Sequence, residues 1–86
     1  MGTVQRFGER PPTKRQFRLM IEERLSRVGE RRPLVFHPRR YAISWQGSEV
    51  VDLEGYYNQY AAACQTGATT TKQNVFDEII KLCQQI

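Results

Sequence analysis

No apolar run in the 86 residues approaches the roughly 18 needed to cross a bilayer, and the arginine-bearing N-terminus has no hydrophobic signal region. A membrane partner is therefore not expected, and a cytoplasmic setting is. Histidine occurs once, at His37, and cysteine twice, at Cys64 and Cys83. These residues cannot complete a zinc site, because a further ligand is lacking and none of the close paired spacings of zinc motifs is present. A cysteine nucleophile would need a neighbouring base and an electropositive, exposed setting. Both cysteines fall instead on apolar stripes, where a reduced thiol packs as a small hydrophobe. His37 stands beside Pro38 in a turn and is expected to face solvent. Gly29, Gly47, Gly55 and Gly67 are dispersed and make no phosphate-binding loop. Internal repeats and low-complexity tracts are lacking as well. The expectation is a non-enzymatic chain with no cofactor and no metal.

A chain this short makes one domain and buries only about 60% of the surface that its unfolded form exposes, which leaves little room for a deep catalytic cavity. Its charge is unevenly spread. Residues 1–40 hold eleven of the thirteen Lys and Arg but four of the nine acids, a balance of +7 against −3 for the remainder. Residues 1–12, MGTVQRFGERPP, mix glycine, proline and charge without periodicity and read as a flexible basic arm. A single folded domain is expected over 13–86.

Thr13-Lys-Arg-Gln16 has capping-box spacing, with Pro12 and Phe17 at the flanking staple positions. Phe17, Met20, Ile21, Leu25 and Val28 then share one helical face, ended at Gly29. Over 34–53 apolar residues fall at every second position through two tight turns, the pattern of antiparallel strands. The first strand covers 34–36, and His37-Pro38-Arg39-Arg40 suits a four-residue turn. Gly47-Ser48 suits a type II′ hairpin, which would pair Trp45 with Val50 and set Leu34, Phe36, Tyr41, Ile43, Trp45 and Val50 on one face. Asp52 is placed to cap a second helix, whose Leu53, Tyr56, Tyr57, Tyr60, Ala61 and Cys64 form one stripe stopped at Gly67. Gly55 in its first turn implies close approach of the first helix or backbone flexibility. Thr70-Thr-Lys-Gln73 repeats the capping-box spacing ahead of a third helix bearing Val75, Phe76, Ile79, Ile80, Leu82, Cys83 and Ile86. The expected fold is α+β, a three-stranded antiparallel sheet covered on one face by helices in the order α-β-β-β-α-α.

The segments TKRQFRLMIEERLSR, LVFHPRRYAISW, VVDLEGYYNQYAAAC and NVFDEIIKLCQQI, taken in order, resemble the compact module of the YtpQ-like bacterial domain of unknown function over residues 13–86. The resemblance lies in apolar and turn residues. It implies this fold and a bacterial or phage setting. That family has no established activity, so the resemblance brings no functional residue with it.

Two groups of residues are candidates for binding. Tyr56, Tyr57 and Trp45 could form a partner-binding aromatic surface, or pack over the sheet with their polar atoms at the rim. Arg6, Arg10, Lys14, Arg15 and Arg18 cluster on the arm and the first helical turns and could neutralise phosphates. Against a phosphate surface, Glu22 and Glu23 interrupt the helix, with Arg18–Glu22 and Glu23–Arg27 spaced as intrahelical pairs. Arg31-Arg32 and Arg39-Arg40 flank opposite ends of the first strand, so the positive charge makes no single stripe. Two functions stay open. The small core and the apolar helix surface favour a protein-interaction module whose partner the sequence does not identify. The alternative is a nucleic-acid-binding protein using the arm and first helix. Homo-oligomerisation is compatible with either.

Overall fold

The computed structural model describes residues 10–37 and 39–85. Helix α1 (Lys14–Arg27) starts where the capping box predicts: Thr13 Oγ1 accepts the Gln16 amide at 3.1 Å, and Gln16 Oε1 accepts the Thr13 amide at 2.9 Å. This reciprocal pair satisfies backbone donors that a helix start leaves without intrahelical partners. Left-handed glycines close two helices. Gly29 (φ 75°) lets the Glu30 amide donate to Leu25 O after α1, and Gly67 (φ 72°) lets the Ala68 amide donate to Ala63 O after α2 (Glu54–Thr66). Helix α3 (Thr69–Gln84) follows at once.

Between α1 and α2 lie β1 (Val35–Phe36), β2 (Ala42–Trp45) and β3 (Ser48–Asp52), an antiparallel sheet in the order β1-β2-β3. The expected α+β class and element order are those observed. The core joins Phe17, Ile21 and Leu25 of α1 to Ile43 and Val51 of the sheet, Tyr60 and Cys64 of α2, and Val75, Phe76, Ile79 and Cys83 of α3. Phe17 is its hub. Its ring centroid lies 5.6 Å from Tyr57, 5.2 Å from Tyr60 and 5.3 Å from Phe76, so one α1 side chain packs against aromatic rings of both other helices. Cys64 and Cys83 are buried thiols, as their stripes predict.

The hairpin differs from expectation. Its turn is Gln46-Gly47, not Gly47-Ser48; both residues have positive φ (53° and 82°), the type I′ pattern, and Trp45 pairs with Ser48 instead of Val50. An irregularity between Ile43 and Ser44 then shifts the ladder by one residue, giving Ile43↔Val51 and Ala42↔Asp52. Burial explains the choice. The expected register would set the Asp52 carboxylate opposite Ile43 on the covered face, whereas the observed one gives that place to Val51, which is 2% exposed. Trp45 is only partly buried and stands outside the core cluster. The side chain of Val50 lies outside the described residues.

Local expectations are also revised. β1 pairs Phe36 with Ile43, so the link to β2 is longer than a four-residue turn. Within it His37 is partly buried, and its Nδ1 accepts the amides of Arg39 and Arg40 at 3.1 and 3.2 Å. The ring serves as an internal acceptor for the loop backbone; Pro38 lies outside the described residues. Val28 is 49% exposed because it is the C-cap, where the chain leaves α1. Asp52 is not the N-cap of α2: that place falls to Leu53, without a side-chain cap, and Asp52 Oδ1 instead accepts the Glu54 amide at 3.0 Å from one residue further back. The second capping box does not form, because α3 begins at Thr69 behind Ala68 and leaves Thr70 inside the helix. A Cβ at Gly55 would meet nothing within 4 Å, which removes close packing as its reason. At the domain edge the Tyr57 hydroxyl donates to Pro12 O at 2.6 Å, fixing the last residue of the arm to α2. Residues 1–9 and Ile86 lie outside the described residues.

Candidate functional site

The first turns of α1 carry cations on the side of the helix next to its apolar stripe, and the start of β2 comes up against them. Together they enclose a concavity of about 560 Å³ lined by Lys14, Arg15, Arg18, Leu19, Glu22 and Tyr41. Three of the candidate phosphate-binding residues, Lys14, Arg15 and Arg18, are thus brought together. Arg10 is exposed and does not line the concavity; Arg6 lies outside the described residues.

These cations are not equivalent. Lys14 Nζ is 2.8 Å from both carboxylate oxygens of Glu54 and lies 5.1 and 5.9 Å from the ring centroids of Tyr41 and Tyr57. Its charge is engaged within the domain. The Tyr41 hydroxyl donates to Lys14 O at 2.6 Å, and burial pushes its pKa well above the usual phenol value, so it forms a neutral, fixed wall. Arg18 leaves its i+4 neighbour Glu22 and stacks its guanidinium on the Phe36 ring at 4.3 Å. The neighbouring expectation holds, since Arg27 does pair with Glu23. Arg15 and Glu22 have no ion-pair partner among the described residues, and Leu19 is 57% exposed.

A second concavity, of about 390 Å³, lies along the same flank and includes Glu22, Leu25, Gly29, Glu30, Arg31 and Leu34. Here Arg32 is clasped. Its Nε and Nη2 donate to the two Glu30 carboxylate oxygens at 2.8 Å each, and Nη2 also donates to the Cys83 carbonyl near the end of α3. The Arg32 hydrogen bonds hold the Glu30 carboxyl down at about 2. Arg31 remains exposed beside this clasp.

The candidate aromatics are placed elsewhere. Tyr56 donates to Glu78 Oε1 at 3.0 Å and so links α2 to α3, while the Tyr57 ring packs against Phe17 and Tyr41. With Trp45 on the hairpin, none of the three lines either concavity. Sequence reasoning overlooked Leu19, Glu22 and Arg31 as one surface. The available signal was Leu19, an apolar residue off the α1 stripe.

Burial pushes the Cys83 thiol up to about 11, which suppresses its nucleophilic thiolate. Among the described residues no group of three or more His, Cys, Asp or Glu could hold a metal, and no helix is long and apolar enough to cross a membrane. Comparison of the chain with protein-family models, with curated proteins and with solved structures finds no match.

Proposed function

We propose that this domain is a non-enzymatic protein-interaction module, of the compact kind its YtpQ-like pattern resembles, and that the flank of α1 beside β1 is its working surface. The observation that carries the reading is Leu19, 57% exposed and set among Arg15, Arg18 and Glu22. An apolar side chain left out of the core and ringed by charges of both signs has the chemistry of a protein interface: an anchor within a polar rim. Nucleic-acid binding fits less well. Glu22 stands in the same concavity as the arginines, and Glu54 already occupies Lys14, so a run of phosphates would meet carboxylates along its path.

A chain carrying a photo-crosslinking residue in place of Leu19 tests the reading in source lysate, with and without nuclease. A stoichiometric protein adduct that survives nuclease is the expected result. An adduct that disappears with the nucleic acid would favour the alternative and remove this proposal.

A further inference from the structure

We infer that the ligand of this flank is an acidic segment of another protein, with an apolar side chain for Leu19 and carboxylates for Arg15 and Arg18 at one end and Arg31 at the other. The inference rests on the protein-interaction reading and adds the chemistry of the partner.

Three observations support it. First, the two concavities adjoin at Glu22, so that their linings follow one another along α1 as a trough. Over α1, Lys14–Arg27, the helix rise makes this about 20 Å, the span of roughly six extended residues. Second, the charges of the trough divide cleanly. Lys14 is held by Glu54 and Arg32 by Glu30, whereas Arg15, Arg18 and Arg31 have no carboxylate partner among the described residues. The stacking of Arg18 on Phe36 orients its guanidinium in advance, which lowers the entropy lost on binding a carboxylate. Third, Glu22 lies between the two cationic ends without a basic partner among the described residues. It favours a neutral or basic residue at the middle of the segment and disfavours an uninterrupted polyanion. Charge complementarity thus selects a protein segment with separated acids over a nucleic-acid strand.

The test is fluorescence anisotropy at about 150 mM salt with a labelled synthetic Glu/Leu peptide, a Lys/Leu peptide of the same length and a single-stranded oligonucleotide. The Glu/Leu peptide should bind best. Arg15→Glu and Arg31→Glu should each weaken it by about fivefold, the upper range for an exposed ion pair, and Glu22→Gln should tighten it. Lys81→Glu on α3 makes the same change in net charge away from the trough and should leave binding unchanged. All four positions are exposed, and circular dichroism checks that each variant keeps its fold. Equal weakening by Lys81→Glu, tighter binding of the oligonucleotide, or no binding of the Glu/Leu peptide would overturn the inference. In the last case a nuclease-resistant protein adduct at position 19 would leave the interaction reading standing while excluding an acidic partner.

Discussion

Gln46 holds a left-handed backbone (φ 53°) that costs a non-glycine residue about 1 kcal/mol, and it lacks the short side chain that eases this conformation in Asn or Asp. The strain persists because the pairing behind it is worth more: with the turn at Gln46-Gly47 and the shift after Ile43, Val51 enters the core and Asp52 reaches the amide of Glu54. Gln46→Asn should therefore stabilise the domain by about 0.5 kcal/mol, since Asn-Gly is the favoured type I′ pair. Urea unfolding measures it. A loss of stability would mean that the Gln46 side chain contributes something that its backbone strain conceals. His37 gives a related lesson at this scale. Its turn was readable from Pro38 and the flanking strands, but its acceptance of two backbone amides was not, because no spacing rule specifies where a ring nitrogen will point.

At the scale of elements, two threonines offered the same capping-box spacing and only one uses it. Thr13 exchanges hydrogen bonds with Gln16, whereas Thr70 sits inside α3. The difference comes from what precedes each helix. Before α1 the Pro11-Pro12 pair disfavours helical backbone, because a residue ahead of proline avoids the helical region, and Thr13 itself is extended; after α2 the Gly67 closure brings Ala68 directly to the N-cap of α3. Thr13→Ala should cost about 1 kcal/mol. Thr70→Ala should be neutral or slightly stabilising, because alanine is the better helix former at an exposed interior position. Equal losses for the two variants in urea unfolding would place the start of α3 at Thr70 after all.

For the molecule as a whole, the clasp of Arg32 on Glu30 and on the Cys83 carbonyl ties the segment after α1 to the last turn of α3. The Glu30 carboxyl is lowered from 4.5 to about 2 in the folded chain. A folded value below the unfolded one contributes stability that is fully present above the unfolded value and is lost as the pH falls through the folded one. The domain should thus lose this contribution progressively between about pH 4.5 and pH 2, and Glu30→Gln should flatten that part of the profile. Urea midpoints measured across the acid range decide it; an unchanged acid slope in the variant would show that other carboxylates set the profile.

The order of helices and strands and most of the core were readable in the chain, because helical and strand periods are local. Phe17, Ile21 and Leu25, Tyr60 and Cys64, and Val75, Phe76, Ile79 and Cys83 announce their faces by spacing alone, and each is buried. The trough along α1 was only half readable. Lys14, Arg15 and Arg18 were visible as a cluster and Arg31 was not, and which cations of the cluster stay unpaired depends on a partner far along the chain: Glu54 for Lys14, 40 residues on. Spacing rules see only the neighbours within one helical turn, and so they paired Arg18 with Glu22. Packing of α1 against the sheet brought the Phe36 ring to Arg18 instead and left Arg15, Leu19 and Glu22 facing outward together, because burial and charge pairing are settled among surfaces that meet only when the chain has folded.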